Sequence, residues 1–221
     1  MKLVYADLFP PFELEKERVN AIVIEDGSLF YRLSAELAEQ CGGSDGNFVL
    51  SENSELLSIS KHSELMSSFL PFEINDKKLL TKLYSKLELI SEVELFDHTN
   101  KFRTAAAEYL SELCDVVNCN IGYNTQSDLK SLFKAFNISF SDDCASLAEK
   151  VMEYMLNVLC LCGEKMFITV GLSSYMNAEE AKLFYQTVTG HKITLLMIEN
   201  RLSESLSMVN RITIDEDYCV F

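Results

Sequence analysis

The apolar positions change period twice along the chain. Over the first 70 residues short elements alternate: "KLVYADL" and "VNAIVIED" are rich in Val and Ile and predict strands, and apolar residues at 29, 30, 33, 37 and 38 predict a helix from Leu29 to Gln40. Asp26-Gly27-Ser28 supplies its start and Gly42-Gly43 its stop. "NFVLS" and "ELLSIS" predict two more strands. From Pro71 to Cys162 a helical period runs almost without interruption. Asn75-Asp76 caps a run with apolar positions 79, 80, 83, 87 and 90, and the period recurs over Phe102 to Val117 and Ala145 to Leu161. The break falls at "NCNIGYNTQ", Asn118 to Gln126, between helices that must fold back as antiparallel neighbours. After Gly163 strands return in "KMFITV", "KITLLMIE" and "RITIDEDYCV", with a helix from Asn177 to Thr189.

The strand, helix, strand order after Gly163 predicts a parallel pair, and the wholly apolar Ile193 to Ile198 suits the middle of a sheet covered on both faces. The expected fold class is therefore an α/β head domain with a mostly parallel sheet, built from residues 1–71 and 163–221. An inserted all-helical domain covers 72–162.

Composition agrees. Among 221 residues, 48% are hydrophobic, enough for a full core, and only 8 glycines and 3 prolines favour long regular elements. No stretch approaches the ~20 apolar residues of a membrane span, and no secretory signal is visible, so a cytoplasmic protein that meets no membrane is expected. The seven cysteines form no CxxC pair and no metal spacing, and are expected as buried reduced thiols. A formal charge of −15 repels nucleic acid on average. The bases are unevenly placed, however. Lys78, Lys82 and Lys86 lie four apart on one helical face, Lys130 and Lys134 share another, and Lys101 and Arg103 form a further pair. Such a face is either solvated helix or a surface that tracks phosphates.

Three stretches are candidates for chemistry. "MFITVGLSSYMNAEEAKLF", Met166 to Phe184, is laid out like a nucleotide site, but it has one glycine, no lysine before Lys182, and a capping box in Asn177 and Glu180 that satisfies the helix start from within the chain. No nucleotide is expected there. "DEDY" puts Asp215 and Asp217 on one face of an extended segment, as a cation pair or a solvated edge. Asp142-Asp143 precede a helical run and are expected to cap it. No GxSxG nucleophile or activating histidine is present, so sequence chemistry favours a non-enzyme.

The stretches "AIVIEDGSLFYRL", "SSFLPFEINDKKLLTKLYSKLE", "KMFITVGLSSYMNAEEAKLF", "ITLLMIENR" and "IDEDYCVF", in this order and spacing, resemble the CRISPR-associated Csn-two family of type II-A systems nearly end to end. The resemblance implies an α/β head of the RecA-like, degenerate phosphate-loop type and an extended helical leg. It further implies a homotetramer ring whose basic hole encircles double-stranded DNA ends. Such a ring serves spacer acquisition together with the Cas-one/Cas-two integrase and the Cas-nine effector, and is not an enzyme. By this resemblance the DNA-binding candidates are Lys130, Lys134, Lys78, Lys82 and Lys86, with Lys101 and Arg103 behind them.

The resemblance also implies Ca²⁺ in the loop Asn118 to Asp128, with Asn120, Asn124 and Asp128 as ligands. Here amides at 118, 120 and 124 and Gly122 stand where relatives are rich in carboxylates. Calcium affinity should fall accordingly. Two other readings stay open at this point. One is a diverged phosphate-loop ATPase or nuclease with its site near Glu25-Asp26, Gly171 and Asp215-Glu216-Asp217, and the other is a protein-only scaffold of the adaptation complex.

Overall fold

The computed structural model describes residues 1–5, 8–117, 119–124, 128–202 and 208–221. β1 (Lys2–Tyr5) is followed by a strand that the apolar pattern did not mark, β2 (Phe9–Glu13). Its Pro10 and Pro11 are tolerated because β2 lies at the edge of its sheet. β3 (Val19–Ile24) is buried at every position, and Asp26 then starts α1 (Gly27–Cys41) by accepting the Leu29 N–H at 2.7 Å. β4 (Phe48–Glu52) and β5 (Glu55–Leu57) pair as a hairpin. The strand expected over "ELLSIS" is cut short there: Ile59–His62 is a helical turn, α2, and Ser63–Met66 a further strand, β6.

α3 (Lys77–Val93), α4 (Phe96–Val116), α5 (Leu129–Ala135) and α6 (Leu147–Cys162) follow. α4 begins six residues before the expected Phe102. The cap of α6 is Ser146, which accepts the Glu149 N–H. Asp142 instead pairs with Lys150 at 2.7 Å, so the pair Asp142-Asp143 is not the cap. β7 (Met166–Val170), α7 (Ala178–Gly190), β8 (Leu195–Glu199) and β9 (Val209–Ile214) complete the order.

The strands form two sheets. One is antiparallel with order β2-β1-β4-β5, and the other is parallel at every pairing with order β6-β7-β8-β3-β9. Leu29, Leu33 and Leu37 recur every four residues along α1 and share a single buried cluster with Leu3 and Leu50 of the antiparallel sheet and Ile22, Ile168 and Leu196 of the parallel one. α1 therefore joins the two sheets through its apolar stripe. α7 packs against β3, and α6 against α7.

The chain divides into two compact units, Met1–Ile74 with Asp142–Phe221, and Asn75–Ser141. The expected helical domain over 72–162 thus ends earlier, at Ser141. The physical reason is burial. α6 sinks Val151, Met155 and Val158 and belongs with the sheets, whereas α4 buries no residue. The expectation of buried thiols also changes: Cys119, Cys160, Cys162 and Cys219 are exposed.

Within the helical unit, Asn75 closes the two ends of the segment. Its amide donates to the Phe140 carbonyl and accepts the Phe140 N–H, both at 2.9 Å, and the Tyr84 hydroxyl donates to the Ile138 carbonyl nearby. Asn75→Ala removes two hydrogen bonds worth about 1 kcal/mol each. Amide exchange of α3 and α5 should therefore accelerate about tenfold or more while the parallel sheet is unchanged. Equal acceleration in both units would contradict their independence.

Candidate nucleic-acid interface

In an open parallel sheet, ligands bind beyond the carboxyl ends of the strands. At that edge the chain's own side chains take several of the backbone groups, beside a cavity of about 490 Å³ lined by Glu25, Asn200, Arg201, Arg211 and Glu216. β3 and α1 are joined by Glu25 and Asp26 alone, and the Asp26 carboxylate fills the N-terminus of α1 where a phosphate would otherwise sit. Asn200 donates to the carbonyls of Ile24 (2.8 Å) and Glu25 (3.1 Å), tying this turn to the end of β8. After β7, Gly171 takes a positive φ of 71° into a short 3-10 turn, Leu172–Tyr175. Asn177 and Glu180 then form the expected capping box on α7, with both reciprocal bonds at 3.0 Å.

Glu199 is the group at this edge that sequence reasoning missed. It closes β8, is 1% exposed, and accepts the Ser173 N–H (3.1 Å) and the Ser173 hydroxyl (2.6 Å). Burial outweighs those hydrogen bonds and pushes its carboxyl from 4.5 up to about 7. The Tyr185 phenol on α7 is pushed up to about 12, first by burial and then by the Glu199 charge. A glutamate ending the largely apolar run "ITLLMI" was the available signal.

All seven DNA-binding candidates fall in the helical unit. Lys78, Lys82 and Lys86 are exposed on α3, Lys101 on α4 and Lys134 on α5. Positions four apart on a helix step about 6 Å along its axis, close to twice the ~3.4 Å rise per phosphate of a DNA strand. Two further candidates tie helices together. Lys130 on α5 pairs with Glu88 at 2.8 Å, and Arg103 on α4 with Glu92 at 2.7 Å. Glu88 and Glu92 lie four apart on α3, so they brace that helix against α5 and α4 respectively. This bracing also takes two acids out of competition with the lysines.

The calcium loop does not fit its ion among the described residues. Both Asp128 oxygens are engaged as the cap of α5, on the N–H groups of Lys130 and Ser131 and the Ser131 hydroxyl, and these bonds hold its carboxyl below its ordinary value. Asn120 and Asn124 are exposed amides, and no group of three His, Cys, Asp or Glu is assembled. Calcium wants six to eight oxygens with several negative charges. Asn118 lies outside the described residues. The shared extended face read for Asp215 and Asp217, as a cation pair or a solvated edge, is not formed. β9 ends at Ile214, and Asp215 turns the chain by accepting the N–H groups of Asp217 (2.9 Å) and Cys219 (2.8 Å), so the two carboxylates do not share an extended face.

Fold and site together define a mixed α/β protein with a parallel sheet and a separate, lysine-striped helical unit. The sequence profile of the family described as CRISPR-associated protein (Cas_Csn2) matches residues 40–218, and the chain belongs to that family. Membership gives it a CRISPR-associated role in an adaptation context, in a family that is generally non-enzymatic. Among solved structures it is similar to Stu0660 of Streptococcus thermophilus, with a TM-score of 0.58 and 17% identity over 96% of this chain and 74% of that one. A putative ABC transporter ATP-binding protein from Pyrococcus furiosus matches at a TM-score of 0.41 and 11% identity, over 96% of this chain and 97% of that one. A comparison with curated proteins finds no match. No helix among the described residues is long and apolar enough to cross a membrane.

The raised carboxyl of Glu199 makes a prediction with a definite sign. A folded value above the unfolded one stabilises fully below about pH 4.5, and that contribution is lost as pH rises toward about 7. The loss is roughly 3 kcal/mol at most. Glu199→Gln should erase this step, so the stability difference between wild type and variant should change across pH 4.5 to 7 and be flat above it. A difference that does not vary with pH over this range would contradict the assignment.

Proposed function

We propose that this chain is a non-catalytic component of CRISPR spacer acquisition that assembles as a homotetramer ring and encircles double-stranded DNA ends. The observation that carries the reading is the division of charge. Residues 75–141 hold eight of the basic residues against nine acids, a formal −1, and the rest of the chain carries −14 of the total −15. The acidic unit repels DNA and leaves Lys78, Lys82, Lys86, Lys101 and Lys134 as the surface that meets phosphates. Lys130 and Arg103 act behind them as braces.

Two further features support the reading. α4 leaves Phe102, Tyr109, Leu113 and Val116 exposed on one side with no residue of the helix buried, an apolar helix face of the kind that self-assembly covers. At the sheet edge that would serve a nucleotide, Asp26 takes the helix start and Asn200 and Glu199 hold turn groups, as befits a RecA-like head with a degenerate phosphate loop and no turnover. In this reading the ring meets the Cas-one/Cas-two integrase and the Cas-nine effector on captured ends. Calcium has no place in it, given the donor set.

Gel-shift with linear against closed-circular duplex tests the reading, because threading requires an end. Linear DNA should shift and the closed circle should not. A Lys78→Ala, Lys82→Ala, Lys86→Ala variant should bind linear duplex at least tenfold more weakly. Its slope of log affinity against log salt should be shallower by about 0.9 for each phosphate that the variant no longer neutralises. Equal binding of both DNA forms would contradict encirclement, and no binding of either would favour the scaffold. Hydrolysis of ATP or DNA with Mg²⁺ or Mn²⁺ would overturn the non-catalytic reading.

A further inference from the structure

The α6 and α7 helices of the sheet-bearing unit enclose between them a groove of about 360 Å³. Each helix contributes one stripe at helical spacing: Glu149, Met152 and Glu153 from α6, and Glu180, Leu183 and Phe184 from α7. Met152 and Phe184 are buried and form the floor, while Leu183 stands 64% exposed on the wall. The three glutamates rim the apolar floor, and among the described residues no lysine or arginine lines the groove. Glu149 and Glu180 are fixed in direction because each has one oxygen on a backbone N–H, of Ala145 and Asn177 respectively, as part of helix capping. Their negative charges are therefore held in place before any partner arrives, which lowers the ordering cost of binding.

We infer that this groove docks a protein segment presenting one or two apolar side chains flanked by Lys or Arg, as on one face of a basic amphipathic helix. The apolar side chains cover Leu183 and settle on Met152 and Phe184, and the flanking bases meet Glu149, Glu153 and Glu180. Charge complementarity selects this occupant over an acidic or wholly apolar one. It also selects against a second copy of this unit, which carries most of the chain's negative charge. The proposal is independent of the DNA reading, since the lysine stripe lies in the other unit.

The probe is a fluorescein-labelled helical peptide of about 15 residues with leucines on one face and lysines on its flanks, paired with a peptide in which glutamates replace the lysines. Both are titrated into the whole protein at physiological salt and read by anisotropy. The lysine peptide should bind saturably and at least tenfold more tightly than the glutamate peptide. Leu183→Glu and Glu153→Lys, both at exposed positions, should each weaken it about fivefold or more, whereas Glu39→Lys, an exposed charge reversal on α1, should not. Binding of linear duplex should be the same in all three variants. Equal weakening by Glu39→Lys would reduce the effect to bulk charge and overturn the site. Unchanged binding in Leu183→Glu and Glu153→Lys would place the peptide elsewhere. A change in native mass caused by Leu183→Glu would make the groove an interface between copies, and would equally overturn the proposal.

Discussion

The architecture depends on β3 being held between β8 on one side and β9 on the other. β3 comes from the first 24 residues and both partners from the last 30, so the sheet closes only when the two ends of the chain meet. Every residue of β3 is buried, and Asn20 in its middle is satisfied by donating to the carbonyls of Glu15 and Leu195. A polar side chain at such a depth is tolerated only when its hydrogen bonds are made. These bonds tie the strand both to its own entry turn and to β8. Everything between Asn75 and Ser141 is then free to form a unit with its own packing.

The same pairing sets the sheet's ligand edge. Because all five strands run parallel, the turns after β3, β7 and β8 emerge together, where nucleotide-binding sheets hold their phosphates. Here polar side chains take up the free groups of these turns, beside the cavity lined by Glu25, Arg201 and Arg211. Asp26 occupies the helix start, Asn200 the turn carbonyls, and Glu199 the Ser173 donors. These turns use their hydrogen-bonding groups to hold the fold. In the proposed reading DNA is met instead by the helical unit, where charge is balanced rather than strongly acidic.

Much of this was legible in the residues themselves. Runs rich in aliphatic residues marked β3 and β8, Asp26 and Asp76 marked helix starts, and the capping box of Asn177 and Glu180 already argued against a phosphate loop. What was not legible depended on neighbours distant in sequence. β2 was hidden by Pro10 and Pro11, whose acceptability follows only from an edge position. α6 has the same period as α3, so its membership of the sheet-bearing unit shows only in what it packs against. Lys130 and Arg103 read as free bases because Glu88 and Glu92 lie far from them in sequence. Glu199 had no motif around it, since its partner Ser173 is 26 residues away. Asp215 looked like half of a carboxylate pair because the turn it closes cannot be seen from an alternating pattern.

The central claim is that the protein meets DNA through its helical unit and not at the sheet edge. Amide hydrogen exchange of the whole protein with and without a linear duplex tests it most directly. The account predicts slowed exchange across α3, Lys77–Val93, with no change at the turns after β3 and β7. Protection at Glu25, Asp26 and the Gly171 turn, with α3 unaffected, would contradict it.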